Sequence, residues 1–291
     1  MHGMLDAAIL AIDGGGTRCR IAYEQVGETL RIDIGPANVY TDFDGAISRI
    51  QDGLSQLTAE LGVDRQTLFE LPAYVGLAGL NCGQDSERLR VGLPFETIRI
   101  EDDRPAAVRG ALGDSDGAII HCGTGSFYAL QHSGHIQLAG GWGPILGDEA
   151  SANWLGKMAL SAALKVQDGR LPPSELATSL LSHLGGVGQL ESFALRASPA
   201  DFGALAPRVT KAASKGERLA LSIVQEGARQ IAEAATKLGW TPGMTLCLTG
   251  GVAPAYRPYL PQTLQQAIRQ PLGEPIDGAL SLARELIGAD S

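Results

Sequence analysis

Short apolar runs separated by glycine-containing turns open the chain: AAILAI, then RCRIAYE after DGGGT, then TLRIDI. This spacing predicts three consecutive strands in a β-meander. The period then changes. Ala46, Ile47, Ile50, Leu54, Leu57 and Leu61 recur at helical intervals and predict a long amphipathic helix. A strand around PAYVGL, a polar helical stretch and a strand around ETIRIE follow. A helix from about Pro105 to Leu112 comes next, opened by an Asp and a Pro as helix starts often are.

The opening pattern then recurs as GAIIHC, a turn GTGS, FYALQ, a turn HSGH and IQLAG. Setting AILAIDGGGTRCRIAYE beside GAIIHCGTGSFYALQ gives strand, glycine hairpin and strand twice, which predicts duplicated α/β domains facing each other. From Ala150 the chain reads as largely helical, interrupted by Pro172, Pro173 and Pro199, until the strand MTLCL runs into TGGVAP. Gly278 to Ile287 again has helical spacing. The expected division is a first domain over 1–112 and a second over 113–277 with a helical insertion. A C-terminal helix, 278–291, packs back on the first domain.

A chain of 291 residues, 44% hydrophobic and 19% charged, suits two globular domains, and no apolar run approaches the ~20 residues a membrane span needs. Met1 to Ile12 lacks a basic flank and reads as the first strand rather than a secretory signal, so a soluble, cytoplasmic protein is expected. Cys19, Cys82, Cys122 and Cys247 are scattered, which predicts reduced thiols and neither a zinc site nor a disulfide framework. His121, on an apolar strand, reads as a satisfied core histidine. The net charge of −9 argues against nucleic acid as a partner and for a small substrate.

Three glycine-rich turns follow apolar strands: Asp13-Gly14-Gly15-Gly16-Thr17, Gly123-Thr124-Gly125-Ser126 and Thr249-Gly250-Gly251. Glycines let backbone amides approach phosphate oxygens, and Thr17, Thr124 and Ser126 add hydroxyl donors. Any one of them alone is equally a tight hairpin; together they point to a polyphosphate held between facing hairpins. A Walker segment GxxxxGK[ST] does not occur, and DGGGT fits no dinucleotide fingerprint because a strand rather than a helix follows it.

The strings AIDGGGTRCRIA, GLAG at Gly76 to Gly79, EDDRPAAVRGAL, GAIIHCGTGS, GGWGPILGDEASANWLG and LTGGVAP occur in this order. From Ala8 to about Ala283 the chain resembles the N-acetylglucosamine and glucosamine kinase group of the BadF/BadG/BcrA/BcrD-type ATPases, in the actin-like sugar-kinase superfamily. The resemblance implies two ribonuclease-H-like, actin-like ATPase domains with the active site in the cleft between them. It further implies a homodimer that uses ATP and Mg²⁺ to phosphorylate a hexosamine at the 6-hydroxyl. The wider family includes activators of benzoyl-CoA reductase and 2-hydroxyacyl-CoA dehydratase, so an ATPase switch is the alternative. Such activators share an iron–sulfur cluster that needs four thiolates, and Cys82 is the one cysteine here expected in a loop that could matter.

Carried over residue by residue, the resemblance makes Asp103 the catalytic base. Glu101 and Asp102 stand beside it, and Asp102 suits a helix N-terminus. It implies that Asp13 holds Mg²⁺ through water, although an Asx-turn role fits the same residue. Gly14, Gly15, Gly16, Thr17, Gly123, Thr124, Gly125 and Ser126 would grip phosphates, with Gly250 and Gly251 beside adenosine. Gly141 and Asp148 would contact the hexosamine, with Ala152 nearby and Asn38 as a further sugar ligand. Asp148 and Glu149 equally serve as charges at the start of the next helix. Whether the amino group of the sugar is free or acetylated stays open.

Overall fold

In the computed structural model, which describes residues 8–16, 18–80 and 83–287, the apolar runs become ten strands in two sheets. Thr17 and Cys82 lie outside the described residues. Strands β1 (Ile9–Gly14), β2 (Cys19–Gln25), β3 (Glu28–Ile34), β4 (Ala73–Leu77) and β5 (Ile98–Glu101) are ordered β3-β2-β1-β4-β5. β6 (Gly117–Cys122), β7 (Ser126–His132), β8 (His135–Gly140), β9 (Thr245–Thr249) and β10 (Ile268–Arg269) are ordered β10-β9-β6-β7-β8. In both sheets three antiparallel strands are extended by two parallel ones. The repeat in the sequence is therefore a repeat of topology.

Strand register makes the equivalence specific. β1 ends with Asp13 opposite Arg20 and Gly14 opposite Cys19, whereas β6 ends with His121 opposite Phe127 and Cys122 opposite Ser126. Asp13 and His121 thus occupy the same place, one residue before the end of the strand that enters a glycine-rich turn.

The chain divides into a unit that runs to Asp114 and resumes at Pro271, and a unit from Ser115 to Gln270. In the first, β1 is buried on both faces, which is why its sequence reads as an unbroken apolar run. Leu10 and Ile12 pack with Ile21, Val75 and with Ile50, Leu54 and Leu57 of the helix Phe43–Leu61. Ile9 and Ala11 alternate to the opposite face and meet Ala22, Tyr74 and Ile276, Ala279, Leu280 and Ala283 of the helix Pro275–Ile287. By the same alternation Asp13 shares the face covered by this C-terminal helix.

In the second unit one core lies between the sheet and its helices. Ala118, Ile120, Tyr128 and Leu246 pack against Trp154 and Leu155 of the helix Ala152–Gln167 and Ile223, Val224 and Ile231 of the helix Arg218–Lys237. Between β8 and β9 the chain forms, among others, the helices Glu175–His183, Val187–Arg196 and Ala206–Ser214. The two-residue β10 was not expected; a segment that short carries no readable periodicity. No helix among the described residues is long and apolar enough to cross a membrane.

Candidate active site

Three consecutive acids leave β5, and their surroundings separate them. Glu101 accepts a hydrogen bond from Tyr74 Oη at 2.8 Å and pairs with Arg99 at 2.9 Å. Asp102 accepts from the Arg104 backbone N–H at 3.0 Å and pairs with the Arg104 guanidinium. Asp103 stands at the N-cap of the helix Arg104–Leu112 yet makes no capping bond, and it joins no ion pair among the described residues. Its backbone packs on β4: a Cβ added at Gly76 would lie 3.3 Å from its Cα. Burial, then the charges of Asp102 and Asp13, push its carboxyl up to about 7. A carboxyl poised near neutrality can accept a proton from a substrate hydroxyl.

Asp13 lies on the same face. Arg20, opposite it in the ladder, reaches its carboxylate at 3.1 Å and Glu274 at 2.7 Å. Burial raises the Asp13 pKa and Arg20 opposes that shift. The charges of Asp13 and Asp102 both bear on Asp103, which a divalent cation would relieve. No cluster of three ligating side chains occurs among the described residues, so the fit is to an ion such as Mg²⁺ that keeps most of its waters and takes one or two carboxylates, Asp13 first. In the adjoining turn, a Cβ at Gly14 would overlap Leu77, and Gly15 N–H closes the turn onto the Arg18 carbonyl at 2.8 Å. Gly16 remains with its amide uncommitted among the described residues. The Asn38 Oδ1 accepts from Tyr40 N–H at 3.0 Å and Thr41 N–H at 3.2 Å. Its Nδ2 lies beside Gly16, 3.8 Å from where a Cβ there would stand.

In the second unit the hairpin Gly123–Ser126 is docked on a helix start. Ala152 N–H donates to Gly123 O at 2.8 Å and Asn153 N–H to Thr124 O at 3.3 Å, while Ser151 Oγ accepts from Trp154 N–H at 3.0 Å. These bonds satisfy amides that a helix N-terminus otherwise leaves open, and they hold the hairpin rigid. The Ser126 hydroxyl, expected as a phosphate donor, instead donates to Glu149 O at 2.7 Å. Asp148 accepts from Ser126 N–H at 3.4 Å, and a Cβ at Gly125 would come within 2.9 Å of its carboxylate. Burial is the main cause of its raised pKa.

Bringing Asp148 back onto the hairpin needs a contorted loop. Gly140, Gly141 and Gly143 have positive φ, and so do Asp148 (60°) and Ala150 (63°), a conformation that strains non-glycine residues. Gly250 closes the arrangement from β9. Its φ is 87°, and a Cβ there would overlap the Cys122 carbonyl and sit 2.6 Å from Gly123 N. Val252 N–H donates to Cys122 O at 3.1 Å, which fastens the second turn to the base of the first.

The structure therefore groups Asp13, Gly14, Gly15, Gly16, Asn38 and Asp103 in one unit, and Gly123, Thr124, Gly125, Ser126, Asp148, Ala152, Gly250 and Gly251 in the other. Gly141 lies on the exposed part of the loop that delivers Asp148. Arg20, Tyr74 and Glu274 were not anticipated. Arg20 alone left a signal, as a charge alternating onto the Asp13 face of an apolar strand.

Residues 10–283 match the model of the BadF/BadG/BcrA/BcrD ATPase family. The chain is 27% identical over 281 residues to the glucosamine kinase of Vibrio cholerae, covering 94% of this chain and 95% of that one. It is 28% identical over 236 residues to the N-acetylmuramic acid/N-acetylglucosamine kinase of Clostridium acetobutylicum, covering 77% and 76%. A solved structure of a candidate N-acetylglucosamine kinase from Chromobacterium violaceum superposes with a TM-score of 0.82 at 26% identity, over 97% of this chain and 99% of that one. With one sheet topology used twice and a family match that spans both units, this chain is built from two ribonuclease-H-like domains and belongs to the BadF/BadG/BcrA/BcrD ATPase family.

Proposed function

We propose that the protein is an ATP-dependent kinase that phosphorylates the 6-hydroxyl of an amino sugar, N-acetylglucosamine or glucosamine. The observation that carries this reading is Asp103, a carboxyl near neutrality, free of capping and ion-pair duty, on the face that also holds Asp13. Asp103 orients the sugar hydroxyl and takes its proton as the phosphoryl group leaves ATP. The amides of Gly16, Thr124 and Gly125 grip phosphate oxygens, while those of Gly123 and Ser126 hold the hairpin through Gly125 O and Asp148, and Gly250 and Gly251 lie beside adenosine. Asp13 would hold Mg²⁺ through water, and the ion would neutralise phosphate charge there. Asn38 Nδ2 serves as a donor and Asp148 as an acceptor for sugar hydroxyls, with Gly141 and Ala152 as further sugar contacts. The amino-sugar substrates named for the relatives support the choice of sugar.

Measuring ADP release with Mg·ATP against N-acetylglucosamine, glucosamine, N-acetylmannosamine, glucose and no sugar tests this reading. Strong stimulation by one amino sugar is expected, and it decides between the free and the acetylated amine. Equal, sugar-independent hydrolysis across the panel would replace the kinase with the activator-type switch. Of the cysteines that such a switch would need, Cys19, Cys122 and Cys247 are free and buried, and Cys82 lies outside the described residues. Asp148→Asn is expected to raise the sugar KM roughly ten- to hundredfold while the ATP KM stays within about twofold. A rise in the ATP KM alone would remove Asp148 from the sugar site.

A further inference from the structure

One position in the duplicated fold differs in kind between the copies. Where β1 carries Asp13, β6 carries His121, and both stand one residue before the end of the strand, directly under a glycine-rich turn. A carboxylate in the first copy suits a cation; an imidazole in the second suits an anion.

Two contacts fix the ring, and its far nitrogen faces the hairpin. Nδ1 lies 3.0 Å from Thr249 Oγ1, the hydroxyl of the residue that opens the Gly250-Gly251 turn. The ring stacks on Phe127, with centroids 5.2 Å apart and planes inclined by 16°. Nε2 lies under the other turn, because a Cβ added at Gly123 would be 2.8 Å from it. Burial holds the imidazole below its usual pKa, so the ring is neutral, with one nitrogen a donor and the other an acceptor. If the Thr249 hydroxyl donates to Nδ1, the ring hydrogen resides on Nε2, at the hairpin. The Thr249 bond also ties β6 to β9, so one side chain spans the bases of both turns.

We propose that His121 is a nucleotide-binding residue whose Nε2–H donates to a phosphate oxygen held at the Gly123–Ser126 hairpin, with Thr249 fixing the ring. This rests on the hairpin taking a nucleotide and is independent of which sugar, if any, is phosphorylated.

The test is equilibrium titration of the full chain with ATP and with ADP, without sugar, alongside melting curves of each unliganded variant. His121→Asn keeps a polar group toward Thr249 and removes the distal N–H; it is expected to weaken ATP binding about tenfold. His121→Gln places an amide N–H near the position of Nε2 and is expected to stay within about threefold of wild type. Thr249→Val should fall between them. Wild-type ATP affinity in His121→Asn would overturn the proposal. So would equal weakening in His121→Asn and His121→Gln together with a lowered melting temperature in both, because the ring would then only tie the strands together. Sugar-independent ATP hydrolysis would sink the kinase reading alone, since the ranking of these variants is read without sugar.

Discussion

Asp103→Asn is expected to lower kcat by about a thousandfold while the ATP dissociation constant stays within about twofold, because a general base acts in the transition state and not in nucleotide binding. Loss of ATP binding with retained turnover would sink the assignment. The raised pKa gives two further readouts. The acid limb of the kcat/KM profile should lie near pH 7, where Asp103 loses its proton, rather than near the usual 3.8. Asp102→Asn should move that limb to lower pH, since the Asp102 charge is among the causes of the shift. Stability should run the other way. A carboxyl whose folded pKa exceeds its unfolded value contributes stability that is whole below the unfolded pKa of 3.8 and is lost as pH rises through about 7. Asp103→Asn, which never ionises, should therefore match wild type near pH 4 and exceed it at pH 8. The gain should be on the order of 2 kcal/mol, allowing for partial exposure of the site. Urea titrations at the two pH values read this difference directly. A variant no more stable than wild type at pH 8 would remove the case for a buried base.

Most of the fold was legible because burial on both faces leaves a plain record. Ile9, Leu10, Ala11 and Ile12 form an unbroken apolar run for the reason that successive side chains enter two different cores. The glycine turns were legible because chain reversal and close backbone approach demand glycine, as at Gly250. What stayed hidden were choices made by residues distant in sequence. Glu101, Asp102 and Asp103 look alike as a string; Tyr74, across the sheet in β4, is what engages the first of them. The Ser126 hydroxyl looks free until the Glu149 carbonyl is brought to it. Arg20 is fixed by Glu274 from near the other end of the chain, a pairing that no local pattern announces. The sequence marks His121 as a satisfied core histidine, and Thr249 does engage it at Nδ1, but among the described residues Nε2 has no hydrogen-bond partner.

Gly278→Val is expected to be the most destabilising of the substitutions considered, through backbone contact and not through lost burial. The helix Pro275–Ile287 crosses the helix Arg104–Leu112 so closely that a Cβ at Gly278 would overlap the Ala106 carbonyl and the Gly110 amide. A Cβ at Gly110 would in turn overlap the Glu274 carbonyl. No flexible side chain can move aside at either point, so the helices must separate. Separation withdraws Ile276, Ala279, Leu280 and Ala283 from Ile9 and Ala11. It also strains the ion pairs of Arg109 with Glu285, at 2.9 Å, and Arg284 with Glu24, at 2.6 Å. Overpacking of this kind costs roughly 3 kcal/mol, and the melting temperature should fall by about 6–12 °C. The effect reaches the chemistry by two routes. Glu274, at the start of the displaced helix, holds Arg20 on Asp13, and the helix pushed aside begins next to Asp103. Turnover should therefore drop well below the melting transition, with Gly278→Ala showing a milder form of both losses. Gly188→Ala is the control: it lies in the helix Val187–Arg196 with nothing within 4 Å of an added Cβ, and it should be neutral or slightly stabilising. A Gly278→Val protein that melts with wild type would mean that the C-terminal helix is not seated on Arg104–Leu112, and the support it gives to Asp13 and Asp103 would fall with it.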